Sequence, residues 1–138
     1  MSAEELARGY VEEFWNQDRQ AFLEEAFAPD AEYYDPMLPG LPGGPEGPRH
    51  RKATYLSALS DERVVIEDLV ADARAAAVRW TFTARFTGEF MGRAPTGELV
   101  RVTGIHFFRV RDGRIVGVWV EYDSAHFLND IGVIDLGV

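Results

Sequence analysis

Residues 79 to 86 read Arg-Trp-Thr-Phe-Thr-Ala-Arg-Phe, a strict alternation of polar and apolar side chains. Successive side chains of a β-strand point to opposite faces. Trp80, Phe82, Ala84 and Phe86 therefore share one face, and Arg79, Thr81, Thr83 and Arg85 the other. A strand with one apolar face has to bury it against a second layer. The same demand recurs downstream. Val100, Val102, Gly104, His106, Phe108 and Val110 form one row, and Arg101, Thr103, Ile105, Phe107 and Arg109 the other. The first row is the more apolar, so His106 is expected to point inward. Asp112-Gly113 between arginines is a strong two-residue hairpin signal and leads into a last strand, Arg114 to Tyr122. Upstream, Val64 to Ala71 is apolar and β-branched, and Asp72-Ala73-Arg74 turns it into the run Ala75–Met91. Gly92 to Glu98 connects that run to Val100–Val110. These segments predict an antiparallel meander.

Helices precede it. Ser2 and Glu5 have capping-box spacing, and Leu6, Tyr10 and Phe14 follow at four-residue steps, predicting about four helical turns. Asn16-Gln17-Asp18 breaks that helix. Asp18 is placed to cap a second one carrying Phe22, Leu23 and Phe27, which Pro29 stops. Ala31 to Asp35 reads as a short strand. Pro36 to Pro48 holds Pro36, Pro39, Pro42, Pro45 and Pro48 with Gly40, Gly43, Gly44 and Gly47, a density at which neither helix nor ladder strand is expected. With only 35 residues before it, the stretch reads as a lid or binding loop rather than a linker. Arg49 to Leu59 predicts a third helix, and Asp123 or Ser124 caps a short final one. The expected architecture is a single α+β domain over residues 1–138, with helices covering one face of a bent sheet that closes around a pocket.

The chain carries 14 Lys and Arg against 23 Asp and Glu, a net charge of −9 with a pI near 4.7. That balance speaks against nucleic acid and anionic membrane as partners, both of which need a cationic face. Cysteine is absent, which excludes disulfides, thiolate nucleophiles and zinc–thiolate sites. No apolar run reaches the roughly 20 residues of a membrane span, and Met-Ser-Ala-Glu-Glu is no signal peptide. A cytoplasmic location is expected. The three histidines lack metal-ligand spacing, and there is no nucleophile elbow, phosphate loop or dinucleotide fingerprint, so no metal and no cofactor are expected.

Several residues could carry chemistry. His106 is either a core histidine with one satisfied neighbour or a pocket acid or base, since imidazole titrates nearest neutrality. Gly104, two residues away on the same row, leaves room for a ligand or a bulge. Asp35 is either a strand-end cap before Pro36 or a carboxylate at the pocket mouth. Tyr33 and Tyr34 point to opposite faces, so one faces in; a buried tyrosine hydroxyl can hold a substrate oxygen. In the last strand, Val116, Val118, Val120 and Tyr122 oppose Ile115, Gly117, Trp119, Glu121 and Asp123, and both rows carry apolar residues, so alternation leaves the inward row open. A bulge near Glu121 would switch the phase. Asp123 is a helix cap or, with Glu121, a carboxylate whose pKa an apolar cavity would raise. Trp15, Met37, Trp80, Phe86, Phe90, Met91 and Trp119, with Tyr34, are candidate substrate contacts or ordinary core. His50, among Arg49, Arg51 and Lys52, reads as solvated.

Three stretches carry a family resemblance: the N-terminal helix leading to FAPDAEYYDP, GGPEGPR opening a helix, and GIHFFRVRDGRIVGVWVEYD followed by FLNDIG. In these the chain resembles the SnoaL-like polyketide cyclases of the nuclear-transport-factor-2-like superfamily. The resemblance implies a cone-shaped α+β fold, a curved antiparallel sheet around a pocket, and a homodimer packed through the sheet. It also implies cofactor-free acid–base chemistry on a small molecule, an intramolecular ring closure in polyketide biosynthesis. The family's pocket histidine falls on His106. Its catalytic aspartate, counted without gaps, falls on Val120, which transfers no proton; a one-residue bulge would bring Glu121 there, with Asp123 close by. Arg101-Val102-Thr103 lacks the acid of the limonene-type epoxide hydrolases. The leading expectation is a cyclase or isomerase acting on an apolar, polyketide-like substrate. His106 would share proton transfer with Asp35, Asp123 or Glu121, and substrate positioning would matter as much. A non-catalytic binding module and a small hydrolase or dehydratase are the alternatives.

Overall fold

The computed structural model describes residues 1–137. Ser2 caps α1 (Ala3–Gly9) through the expected capping box with Glu5. The helix then widens into a π-helical segment, Tyr10–Asn16, rather than continuing as α. The wider turn places Tyr10, Val11, Phe14 and Trp15 all on the buried side. After α2 (Ala21–Ala26) the chain enters β1 (Phe27–Tyr34), so Phe27 begins a strand instead of ending a helix. Pro29 lies inside β1, where it removes no needed bond. β1 is an edge strand, and its pairing is irregular between Phe27 and Glu32. Asp18 does not cap α2; Gln20 holds that position without a side-chain bond, and Asp18 instead accepts from Lys52.

The Pro/Gly stretch also departs from expectation. α3 (Glu46–Leu56) begins within it, because Pro48 falls in the first turn, where no intrahelical N–H is missed. The remainder folds back on β1 through Gly44 N–H to Ala31 C=O at 2.8 Å.

β2 (Leu59–Ala71), β3 (Ala75–Phe86), β4 (Leu99–Arg111) and β5 (Arg114–Tyr122) form the meander, and the sheet order is β1-β5-β4-β3-β2. β1 joins β5 in parallel, so the sheet is mixed rather than wholly antiparallel. It is curved and does not close. Asp112 and Gly113 both take positive φ, as the tight β4–β5 hairpin requires. The inner row of β4 is the apolar one, with Val100, Val102, His106, Phe108 and Val110 buried. Tyr10, Phe14, Phe22, Phe27, Phe86 and Phe108 are fully buried between helices and sheet; such side chains each contribute about 1.5–3 kcal/mol. Asp123 caps α4 (Ser124–Asp130) by accepting from the His126 N–H. α4 lays Phe127 over the end of the core.

Candidate functional site

The π-helical segment, α3, α4 and the inner faces of β2 to β5 enclose a cavity. Its walls are mainly apolar, with Trp15, Trp80, Phe82 and Phe127 among them. The polar groups on it are Tyr10, Arg51, Tyr55, His106 and Tyr122. Two hydrogen-bonded chains organise these groups.

The first chain runs from Trp80. Its indole N–H donates to His106 Nδ1 at 2.6 Å. Indole is a donor only, so Nδ1 is an acceptor and the imidazole proton sits on Nε2. Nε2–H then donates to the Tyr33 hydroxyl at 3.2 Å. Tyr33 also bonds the Tyr10 hydroxyl. Having accepted from His106, the buried Tyr33 is satisfied by donating to Tyr10. The order is Trp80 to His106 to Tyr33 to Tyr10, and it leaves the Tyr10 proton facing the cavity. Burial first, and then the Arg51 charge, pushes the His106 pKa well below its ordinary value. The imidazole is neutral and both nitrogens are engaged, so no free lone pair remains for a general base. Burial likewise raises Tyr10 and Tyr33, against the pull of Arg51, and both stay protonated.

The second chain is built on an ion pair. Arg51 Nε donates to Asp35 Oδ2 at 2.6 Å, and both side chains are nearly inaccessible. Tyr55 O–H donates to the same oxygen at 3.0 Å, and the Met37 N–H to Oδ1 at 2.8 Å. Tyr55 has spent its proton on the carboxylate and so accepts from Tyr122 O–H at 2.7 Å. Burial pushes Tyr122 up to about 12. The guanidinium lies 5.1 Å from the Tyr55 ring centroid and 5.7 Å from the Trp15 ring, an aromatic cage suited to a buried cation.

Of the expected site residues, His106, Trp15 and Trp80 line the cavity. Asp35 sits behind Arg51 with its carboxylate occupied by three donors, so it anchors the cation instead of facing the cavity. Glu121 is exposed on the outer face: the β4–β5 register runs unshifted from Gly104↔Tyr122 to Arg109↔Gly117, and no bulge turns it inward. Val120, paired with His106, is the residue that points in. Asp123 is committed to capping. Tyr34 and Trp119 stack on each other on the outer face, and Met91 is exposed; none of the three lines the cavity. Phe86 is core, and Phe90 backs Tyr55 and Phe127 from outside the lining. Met37 contributes its backbone to Asp35, and no residue of 36–48 lines the cavity, so the loop is no lid over it. The space at Gly104 is filled by Trp80, whose Cζ2 lies 2.5 Å from where a Cβ would stand.

Sequence reasoning missed Arg51, which was named there only as a basic neighbour of His50. The signal was helical spacing: Pro48, Arg51, Lys52 and Tyr55 recur at the i, i+3, i+4, i+7 positions of one face, and all four are buried. Lys52 is satisfied by the Phe14 carbonyl and Asp18.

Comparison with known proteins places this arrangement. No curated protein matches the sequence. Among solved structures, IdmH of Streptomyces antibioticus, a candidate polyketide cyclase, is 29% identical with a TM-score of 0.81, over 96% of this chain and 99% of that one. TsrD of Streptomyces laurentii, at 24% identity and TM-score 0.81 over 94% of both chains, shows the same fold. So does AclR of Streptomyces galilaeus, a candidate hydroxylase, at 24% identity and TM-score 0.80 over 96% of both. A family description matches residues 5–131, nearly the whole chain, and it is that of the SnoaL-like polyketide cyclases, the family to which this chain belongs.

Proposed function

We propose that the protein is a cofactor-independent cyclase that closes a ring in an apolar, polyketide-like molecule inside this cavity. The observation carrying the proposal is the buried Arg51–Asp35 pair at the edge of an aromatic chamber. An arginine held there polarises a substrate carbonyl in a water-poor site, where such an interaction is strong. The chamber confines a flexible chain and removes entropy before reaction. Family membership supports the same reading, as does the likeness to IdmH. The acid–base pairing expected from sequence is not favoured: His106 has no free nitrogen, and the nearest carboxylate is sequestered. Catalysis on this reading rests on positioning and carbonyl polarisation.

Incubating the protein with a panel of linear polyketo esters, followed by chromatography and mass spectrometry, tests it. Conversion to cyclic isomers or their dehydration products, faster than without protein, is expected. Saturable binding with no conversion overturns the enzyme reading in favour of the binding module.

We also propose a cytoplasmic homodimer formed through the outer sheet face. Among the described residues, no helix is long and apolar enough to cross a membrane. Tyr34, Ile105 and Trp119 stand exposed on that face with Phe107 beside them, a cluster suited to a partner surface. Sedimentation of wild type as a dimer, and of Trp119→Glu as a monomer, is the expected result; a monomeric wild type rejects it.

A further inference from the structure

Arg51 is over nine-tenths buried, yet its hydrogen bonds to protein end at Nε. A guanidinium carries four more N–H donors on its two Nη atoms. Among the described residues no further hydrogen bond of good geometry from Arg51 to protein is formed, the Tyr10 hydroxyl being a neighbouring oxygen, and no buried side-chain nitrogen or oxygen is stranded. The Nη groups therefore open on the cavity that Arg51 lines. Tyr10 lines the same cavity. Its hydroxyl accepts from Tyr33 and keeps its own proton unspent, as the chain from Trp80 dictates. A cation and a neutral O–H donor thus line one small cavity side by side. Leaving such donors empty inside a fold is costly, which marks the volume as a place for an acceptor.

The other polar edge has the opposite character. Tyr122 spends its proton on Tyr55 and presents lone pairs. Asp35 accepts the Arg51 Nε–H and is masked by Tyr55 and the Met37 N–H, so its charge holds the guanidinium in place without occupying the cavity-side donors. Around these groups Trp15, Trp80, Phe82 and Phe127 present aromatic rings among aliphatic side chains such as Val64 and Val102, and those rings suit stacking against a planar ligand.

We infer that the Arg51 Nη groups and the Tyr10 hydroxyl form an oxyanion site, and that the protein selects planar ligands carrying an enol or phenol, binding them as the enolate or phenolate. On binding, the enol or phenol O–H bond breaks heterolytically: the electron pair stays on the ligand oxygen, the proton passes to water, and no bond between ligand and protein is formed. This inference rests on the proposed cyclase reading for the kind of substrate, and it names that substrate's reactive group. An enolate is the nucleophile of a carbon–carbon ring closure, so a site that holds it as the anion shifts the ground-state population toward the reacting form.

A substituted 2-naphthol whose absorbance separates naphthol from naphtholate tests the site directly. Titrating the probe into wild type across pH gives the affinity of each form. Wild type is expected to bind the anion at least about 10-fold more tightly than the neutral form, one pH unit in the bound ionisation. Tyr10→Phe, which leaves the ion pair in place, is expected to keep a reduced preference. The double variant Asp35→Asn/Arg51→Met, which removes both buried charges together, is expected to lose the preference while circular dichroism shows it folded. If that double variant does not fold, Arg51→Lys, which keeps the charge but not the paired Nη donors, takes its place and is expected to weaken the preference. Equal or neutral-form binding by wild type, no binding, or an unchanged preference in the folded charge-altered variant overturns the inference. Anion preference without ring closure in the polyketo-ester panel leaves the site standing and the cyclase reading rejected. Ring closure without anion preference does the reverse.

Discussion

Trp80 and His106 are joined by a 2.6 Å bond in which the indole N–H donates to Nδ1. That bond sets the imidazole tautomer, and through it the direction of every hydroxyl as far as Tyr10. Nitrogen-15 NMR should show His106 with a bare, hydrogen-bonded Nδ1 and a protonated Nε2. In Trp80→Phe the buried Nδ1 loses its donor, and a loss of about 1–3 kcal/mol in urea unfolding is expected. A spectrum with the proton on Nδ1 would refute the direction assigned to the chain.

The pH dependence follows from the lowered pKa of His106. The unfolded chain binds a proton there below about pH 6.5, whereas the folded protein resists it until a much lower pH. Stability should therefore fall as pH drops below about 6.5, by up to about 1.4 kcal/mol per unit, until the folded pKa is reached. His106→Gln should flatten that portion of the curve. Denaturant midpoints between pH 7 and pH 5 measure it, and identical slopes in the two proteins would contradict the assignment.

Removing one partner of the Asp35–Arg51 pair leaves the other charge buried alone. Asp35→Asn should cost about 3–5 kcal/mol, and adding Arg51→Met should restore much of the loss. A double-mutant cycle by urea denaturation gives the coupling; additive losses would mean that the two side chains do not share one buried site.

Val120 pairs with His106 and is buried. Val120→Asp therefore places a carboxyl in the core, where desolvation raises its folded pKa above the unfolded value of about 3.9. Its penalty should be small near pH 4 and should grow as pH rises through the raised folded value. The thermal midpoint gap from wild type, measured from pH 4 to 7, reads this out. A gap independent of pH would show the new side chain reaching water.

Much of the sheet was legible because a period of two is unambiguous when one face is wet. Trp80, Phe82 and His106 point inward as their rows require, and Asp112-Gly113 makes its turn. β5 was not legible by the same rule. Trp119 adds an apolar side chain to the outer row, and the phase was settled only by pairing with β4. Pro29 misled because the effect of a proline depends on whether its strand lies at an edge, which no local pattern reveals. Arg51 and Lys52 were hidden by their chemistry: charges on a helix read as solvent-facing until their spacing is set against a shared buried face. The ion pair joins residues 16 apart in sequence, and the Tyr33–His106 bond residues 73 apart, beyond what composition and periodicity register.

The parallel pairing of β1 with β5 has a consequence for how the molecule is made. β1 leaves the ribosome early, yet its neighbour in the sheet is the last strand to be synthesised. Tyr33 must wait with it, since its contact with His106 needs β4 already seated. Contacts so distant in sequence slow folding and keep a hydrophobic edge uncovered meanwhile. The nascent chain is thus most vulnerable to aggregation while 27–34 is exposed and 114–122 is still unmade. The proline at position 29 and the acidic side chains of Asp30 and Glu32 occupy that waiting edge, and each of them discourages a stray strand from pairing there.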